Sequence, residues 1–305
     1  MTLAPKGGLA TMDAAWPTFV VAGAPKSGTT ALYHWLGQHP EVYMAPNKQP
    51  HFFAGLSPTF RGPGDELLNR DLVRDASAYL ALFAPGARAR ARGEASPFYL
   101  HHAARTARRL AAEVPDCRVV VLLRDPVERA YSGYLHLVRD GRESASFAEA
   151  LEREEDRQRQ GWEPLWAHRA LGLYGRQLGE LLDVLPREQL GIWRYEDLRA
   201  RPLELYAEVC RFIGVDAGFV PRLTRHNTGG APRHPGLHAL LVRLRVPHLA
   251  KRLLPEGVAQ WVVAHYLEHR PPPPALAAEL RASYASDLAA LQRLLPHLDV
   301  GSWLP

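Results

Sequence analysis

Residues 23–30, GAPKSGTT, place a lysine, two glycines and three hydroxyl side chains directly after a short apolar segment. That segment, PTFVVAG (17–23), is typical of a buried strand, and a helical pattern follows the loop until Pro40. A glycine-containing loop between a strand and a helix points several free backbone N–H groups at one spot, which favours an anion. An ordinary strand–helix turn is the alternative. We predict that a phosphate is bound by Lys26, Ser27, Gly28, Thr29 and Thr30.

The order of residues in this loop indicates which phosphate chemistry it serves. A nucleoside-triphosphatase loop reads G-x-x-x-x-G-K-[ST], with the lysine after the last glycine. Here Lys26 precedes Gly28, and Thr29 follows that glycine directly. The loop instead resembles the 5′-phosphosulfate loop of sulfotransferases that use 3′-phosphoadenosine 5′-phosphosulfate (PAPS). The resemblance implies that Lys26 contacts the oxygen that bridges phosphate and sulfonate.

A second segment, RVVVLLRDPVERAYSGY (118–134), is similar to the 3′-phosphate segment of the same family. By that resemblance, Arg124 and Ser132 hold the 3′-phosphate of the nucleotide. A strand-end arginine offers a bidentate fork, and a hydroxyl on the following helix adds a donor. The competing interpretation makes Asp125 a magnesium ligand, but Arg124 would then place a cation beside the metal.

Two further stretches support the resemblance. The loop RHNTGGAPRHPGL (225–237) is similar to the one that covers the adenosine and the 3′-phosphate in bacterial members, with Arg233 as its anion contact. The ending YASDLAALQRLLPHLDVGSWL resembles the terminal helix and tryptophan-containing tail of the family. The likeness therefore covers nearly the whole chain.

Buried strands near 17–23 and 118–123, and a further strand that runs into a loop over 190–198, alternate with helical patterns. This alternation indicates a parallel sheet covered on both faces. We predict an α/β fold in which a P-loop-like parallel β-sheet is flanked by helices on both faces, as the sulfotransferase resemblance also implies. No repeat or linker divides the 305 residues, so we expect a single domain over 1–305 with a flexible leader at 1–16.

The stretch QPHFF (49–53) raises a question about the acceptor side of the reaction. It matches the E-x-H-F-F motif of heparan-type and many bacterial sulfotransferases, whose glutamate takes the proton of the acceptor hydroxyl. Here Gln49 occupies that position, and an amide cannot take a proton near neutral pH. Losing a general base costs about a hundredfold to ten-thousandfold in rate.

Three explanations for Gln49 stay open. Another residue could be the base: His51, which faces the same side as Gln49 if the segment is extended, or Glu94 in GEASPFYL. The acceptor could instead be acidic, such as a phenol. The chain could also be a Glu→Gln variant that traps a complex.

Composition argues against several other classes of protein. The net charge is +5, but no run of basic residues suggests a nucleic-acid partner. Two cysteines, Cys117 and Cys210, indicate buried thiols and neither a disulfide framework nor a metal site. We see no signal peptide and no transmembrane stretch, and expect a cytoplasmic protein of open oligomeric state.

The combined prediction is an enzyme that transfers a sulfonate group from PAPS to a hydroxyl of a small-molecule, lipid or sugar acceptor, without a metal. The product of the donor is 3′,5′-adenosine bisphosphate (PAP). The predicted catalytic residues are Lys26, Gln49, His51 and Glu94. The alternatives are a P-loop kinase or nucleotide hydrolase, and a PAP-binding protein that has lost catalysis.

Overall fold

The computed structural model describes residues 16–56, 59–223, 230–232, 267–268 and 271–304. Arg233 and nearly all of the expected leader lie outside these residues. The extent of the single domain stays a prediction.

A five-stranded parallel sheet forms the centre of the molecule, in the order β2-β3-β1-β4-β5. Every neighbouring pair of strands in this sheet is parallel, and Val20 of β1 lies opposite Val119 of β4 and Glu94 of β3. All five strands therefore end at the same edge. The strands are β1 (Phe19–Gly23), β2 (Val42–Met44), β3 (Ala91–Glu94), β4 (Arg118–Leu123) and β5 (Leu190–Arg194).

Helices cover both faces of the sheet, as predicted. The described helices are α1 (Thr29–Leu36), α2 (Glu66–Asp71), α3 (Ala76–Ala81), α4 (Ala103–Glu113), α5 (Pro126–Arg139), α6 (Phe147–Glu152), α7 (Glu154–Arg159), α8 (Tyr174–Leu182), α9 (Tyr195–Ala200), α10 (Pro202–Ile213) and α11 (Pro274–Leu294). A short antiparallel pair, β6 (Ala231–Pro232) and β7 (Leu267–Glu268), lies apart from the main sheet.

Alternation along the strands divides the core into two layers. Val20 and Ala22 of β1 pack with apolar residues of α4, α5, α8 and α11, whereas Phe19 and Val21 pack with those of α1 and α10. Successive side chains of a strand point to opposite faces, so strands that are apolar throughout bury both faces of the sheet. Cys117 and Cys210 are buried and free, as expected.

The sequence pattern missed two short strands. β2 has three residues, and β3 reads ARGE, so neither shows an apolar run or a clear alternation. Both are held by pairing, with Val42 opposite Ala91. Residues 147–159 form two short helices, α6 and α7, and α2 lies within the segment 59–75. None of the described helices is long and apolar enough to cross a membrane.

Candidate functional site

The carboxyl edge of the sheet gathers the predicted site segments. The loop with Lys26 follows β1, Glu94 ends β3, and Arg124 follows β4. The segment that carries Gln49 follows β2. Because the strands are parallel, these four places adjoin along one edge, the usual position of a ligand site in an open α/β sheet.

The loop after β1 has the backbone shape of an anion site. Gly28 caps α1 in the left-handed region, with φ 89°, and no side chain in the described part of the chain caps this helix. A Cβ at Gly28 would lie 2.5 Å from Leu198 Cδ2, so the loop needs glycine there. The buried Ser27 Oγ has no hydrogen-bond partner among the described residues. The first N–H groups of α1 and this hydroxyl are thus free to bind an anion.

Two lysines converge on the same loop. Burial, then the charge of Arg139, lowers the pKa of Lys26 to about 7. Burial lowers the pKa of Lys48 to about 8, against the opposing charge of Glu94. Each amine gives up its proton more readily than usual because it is desolvated and, at Lys26, surrounded by other cations. A bound anion would reverse this effect.

Arg124 connects the loop to the segment predicted to bind the 3′-phosphate. Its guanidinium donates to Lys26 O at 3.3 Å and to Glu128 at 3.2 Å, and it lies 4.9 Å from the centre of the Tyr195 ring. Ser132 is half-buried on α5, two turns further on. The structure therefore places both predicted 3′-phosphate residues on the β4–α5 unit beside the loop.

Asp125 has a structural role. Its carboxylate accepts from Val127 N at 2.8 Å and Glu128 N at 3.0 Å, which caps α5, and it pairs with Arg281 at 2.8 Å. Within the described ranges, no group of three or more His, Cys, Asp or Glu residues is arranged to hold a metal ion.

The acceptor-side segment departs from the extended geometry considered above. His51 has φ 51°, in the left-handed region, and Phe52–Ala54 form a 3-10 turn. The alternation of side chains along an extended strand therefore does not apply here, and the argument that placed Gln49 and His51 on the same side no longer holds. The turn packs the Phe52 ring on Tyr79 at 4.3 Å between centroids, and this packing overrides the extended conformation.

The His51 imidazole is buried deeply, with 1% of the residue exposed. Its ring stacks on Phe98 at 4.9 Å, and neither ring nitrogen has a partner among the residues described. Burial, with smaller effects of Lys48 and His102, lowers the pKa of His51 to about 3. The ring is therefore neutral at physiological pH and a weak base.

Glu94 lies at the end of β3 with 0% of the residue exposed. Tyr79 donates to its Oε1 at 3.3 Å, while Oε2 has no partner in the described part of the chain. Burial raises the pKa of Glu94 to about 7, and the neighbouring hydroxyls of Tyr99, Ser96 and Tyr79 offset part of that effect. The carboxyl group can therefore gain or lose a proton near neutrality.

Gln49 is half-buried, and its backbone N–H donates to Asn47 Oδ1 at 3.1 Å. Sequence reasoning missed Lys48, whose Nζ lies 3.0 Å from Thr30 Oγ1. A signal was present: basic residues in this chain are mostly arginines, and its lysines are Lys6, Lys26, Lys48 and Lys251. Two of these lysines meet at the predicted site.

Comparison with known proteins agrees with this geometry. A family model described as "Sulfotransferase family" matches residues 17–218. The chain belongs to the sulfotransferase family. This confirms the resemblance to the sulfotransferase family and disfavours the kinase and nucleotide-hydrolase alternatives.

A solved structure shows the same fold. The sulfotransferase is 37% identical to a crystallised sulfotransferase from Alicyclobacillus acidocaldarius, with a TM-score of 0.76, and the match covers 95% of this chain and 99% of the other. At this similarity the predicted α/β sulfotransferase fold is confirmed.

Curated relatives match over shorter stretches. Membrane-associated sulfotransferase kil1 of Dictyostelium discoideum is 33% identical over 118 residues, which cover 39% of this chain and 22% of that protein. Human heparan sulfate glucosamine 3-O-sulfotransferase 6 is 27% identical over 258 residues, which cover 79% of this chain and 68% of the relative. The chain thus spans under a quarter of the length of kil1.

Proposed function

We propose that this sulfotransferase transfers a sulfonate group from PAPS to a hydroxyl of a small-molecule, lipid or sugar acceptor. The observation that carries the proposal is the junction at the carboxyl edge, where Arg124 donates to the carbonyl of Lys26. That contact joins the uncapped start of α1 to the strand-end arginine. A nucleotide with phosphates at both its 5′ and 3′ ends would fit this pair of cationic segments.

The chain's own groups suit each part of such a donor. Ser27, Thr29 and the first N–H groups of α1 would hold the 5′-phosphate, with Gly28 allowing close approach and Thr30 adding a hydroxyl. Arg124 and Ser132 would hold the 3′-phosphate. Arg233, which lies outside the described residues, is still predicted to contact the anion from the loop that covers the adenosine and the 3′-phosphate.

Lys26 would stabilise the charge that develops on the departing phosphate oxygen. In the reaction, the bond between sulfur and that oxygen breaks while a bond from sulfur to the acceptor oxygen forms. The acceptor proton passes to a base, and PAP leaves. Positioning and fixed positive charge supply most of the catalysis in such a displacement, as in phosphoryl transfer. PAPS supplies the activated sulfonate when bound.

Among the bases considered, Glu94 is the one we favour. Its pKa of about 7 suits a base that works near neutrality, whereas the pKa of about 3 makes His51 a poor one. Oε2 of Glu94, which has no hydrogen-bond partner among the described residues, is the atom that would take the proton. Glu94→Gln should then remove turnover while PAP binding persists, whereas His51→Asn should retain turnover.

The feature that sustains a second candidate function is Gln49, which occupies the position of a proton-accepting glutamate. A PAP-binding protein without turnover would account for it. An acidic acceptor, such as a phenol, would also reduce the need for a base. The match to a heparan sulfate glucosamine 3-O-sulfotransferase makes a sugar hydroxyl a further acceptor class to test. Cytoplasmic location stays a prediction.

The experiment that tests the proposal has two parts. Isothermal titration with PAP in the absence of magnesium should show binding, and a strict requirement for Mg-ATP would contradict it. Mass spectrometry should then detect sulfated products after incubation of PAPS with a pool of phenols, sugars and lipid alcohols, with the unsubstituted protein compared with Gln49→Glu. Sulfated product from either protein supports transfer. Nucleotide binding without product from both would favour the second candidate.

A further inference from the structure

The segment that follows β2 is fixed from two sides. Tyr33 on α1 donates its hydroxyl to Ala45 O at 2.7 Å. Ala95, just past the end of β3, donates its backbone N–H to Lys48 O at 2.8 Å. The backbone at Lys48 is thus held between the phosphate-loop helix and the strand that ends in Glu94. Its side chain starts from a defined position.

The Lys48 side chain extends to the start of α1. Its Nζ lies 3.0 Å from Thr30 Oγ1, in the first turn of that helix. The side chain is half-buried, and no carboxylate within the described residues lies at ion-pair distance from it. A helix N-terminus carries partial positive charge and disfavours a cation. The Glu94 charge already favours the protonated amine, and an anion bound between the amine and the helix would stabilise it further.

The contacts of Lys48 indicate where that anion lies. Its amine reaches Thr30, four residues after Lys26 at the start of α1. Its carbonyl accepts from Ala95, which directly follows Glu94, and the Glu94 charge raises the pKa of the Lys48 amine. Lys48 is therefore flanked by the group proposed for the leaving phosphate and by the group proposed for the acceptor proton. The sulfur being transferred passes between those two groups.

We propose that Lys48 is a catalytic residue that contacts the transferring sulfonate. It approaches from the acceptor side, while Lys26 approaches from the phosphate loop. The assignment rests on the proposed function and adds a residue that no sequence motif indicated. Its amine neutralises charge on the sulfonate oxygens during the displacement, and Lys26 does so on the departing oxygen.

The test compares two nucleotides that differ only in the sulfonate. Isothermal titration of Lys48→Met with PAPS should show a loss of affinity of about 10- to 100-fold, the range for a charged hydrogen bond. With PAP the loss should stay below about threefold. Lys48→Arg keeps the charge and should recover much of the PAPS affinity. Arg70→Met removes one positive charge from exposed α2 and should leave both affinities unchanged.

Each other outcome overturns the assignment. Equal losses for PAPS and PAP would place Lys48 on a phosphate of the nucleotide, and unchanged affinities would give it a structural role. Thermal melting shows whether Lys48→Met is folded. If it is not, Lys48→Gln, which also removes the charge but keeps a polar side chain, takes its place in the same comparison of PAPS with PAP. Failure of the wild-type chain to bind either nucleotide would remove the proposed function itself, and is seen before any substitution.

Discussion

Replacing Glu94 with glutamine should change how stability depends on pH. Glu94 is fully buried, and burial raises the pKa of its carboxyl from 4.5 to about 7. Between those values the folded state holds a proton that the unfolded state has lost. The carboxyl group of Glu94 makes its full contribution to the free energy of unfolding below pH 4.5, and this contribution is lost as the pH rises through about 7.

The size of the effect follows from the shift. One pKa unit corresponds to about 1.36 kcal/mol, so the full shift is worth about 3 kcal/mol. Between pH 5 and pH 8 the free energy of unfolding of Glu94→Gln should rise relative to wild type by about 2–3 kcal/mol. Buried histidines with lowered pKa values make stability rise with pH, which is the opposite trend. Because both proteins contain these histidines, their effect cancels when the free energy of unfolding of wild type is subtracted from that of the variant.

Urea unfolding at pH 5, 6, 7 and 8, followed by tryptophan fluorescence, measures this difference. Glu152→Gln, which changes an exposed carboxylate on α6, is the matched control and should keep a constant offset from wild type. The glutamine variant can still accept a hydrogen bond from Tyr79, so its fold should be retained. A Glu94→Gln difference that stays constant within about 1 kcal/mol across the range would refute the reasoning.

Three further predictions concern the nucleotide side. Arg124→Ala should weaken PAP far more than adenosine 5′-monophosphate in titration calorimetry, and equal losses would contradict its assignment to the 3′-phosphate. Gly28→Ala should lower the free energy of unfolding by about 2 kcal/mol or more. The alanine would have to adopt a left-handed backbone conformation, and its Cβ would also clash with the Leu198 side chain. Gly161→Ala, with φ 77° and an open surrounding, should cost only about 1 kcal/mol in the same melts. Finally, PAP affinity should fall up to about tenfold per pH unit above pH 7, because Lys26 has a pKa of about 7 and must be protonated to bind the anion. Lys26→Met should remove this dependence in titrations from pH 6 to 9, and a flat wild-type profile would show that the amine does not contact the anion.

The segments predicted to bind the nucleotide could be identified from the sequence because their signals are local. The apolar run of β4 and the loop with Lys26 can each be recognised from fewer than ten residues. The parallel pairing of β1 with β4 then brings the two segments together. The acceptor side depends on distant contacts. The left-handed backbone at His51 follows from aromatic packing on Tyr79, and β3 exists only through its neighbours. Lys48 reaches its position through contacts with α1 and Ala95, which no local pattern encodes.

The hydrogen bond from Arg124 to Lys26 O has a consequence for ligand fragments. It joins the two segments proposed to bind phosphates before any nucleotide is bound, so the protein loses little conformational freedom when it aligns them. A molecule carrying both phosphates therefore gains from tethering, since its second end binds at a high effective concentration. Adenosine 3′-phosphate and inorganic phosphate added together should reproduce only a small part of the affinity of PAP. The affinity of the protein would then depend on the distance between the two phosphates of the donor as well as on their charge.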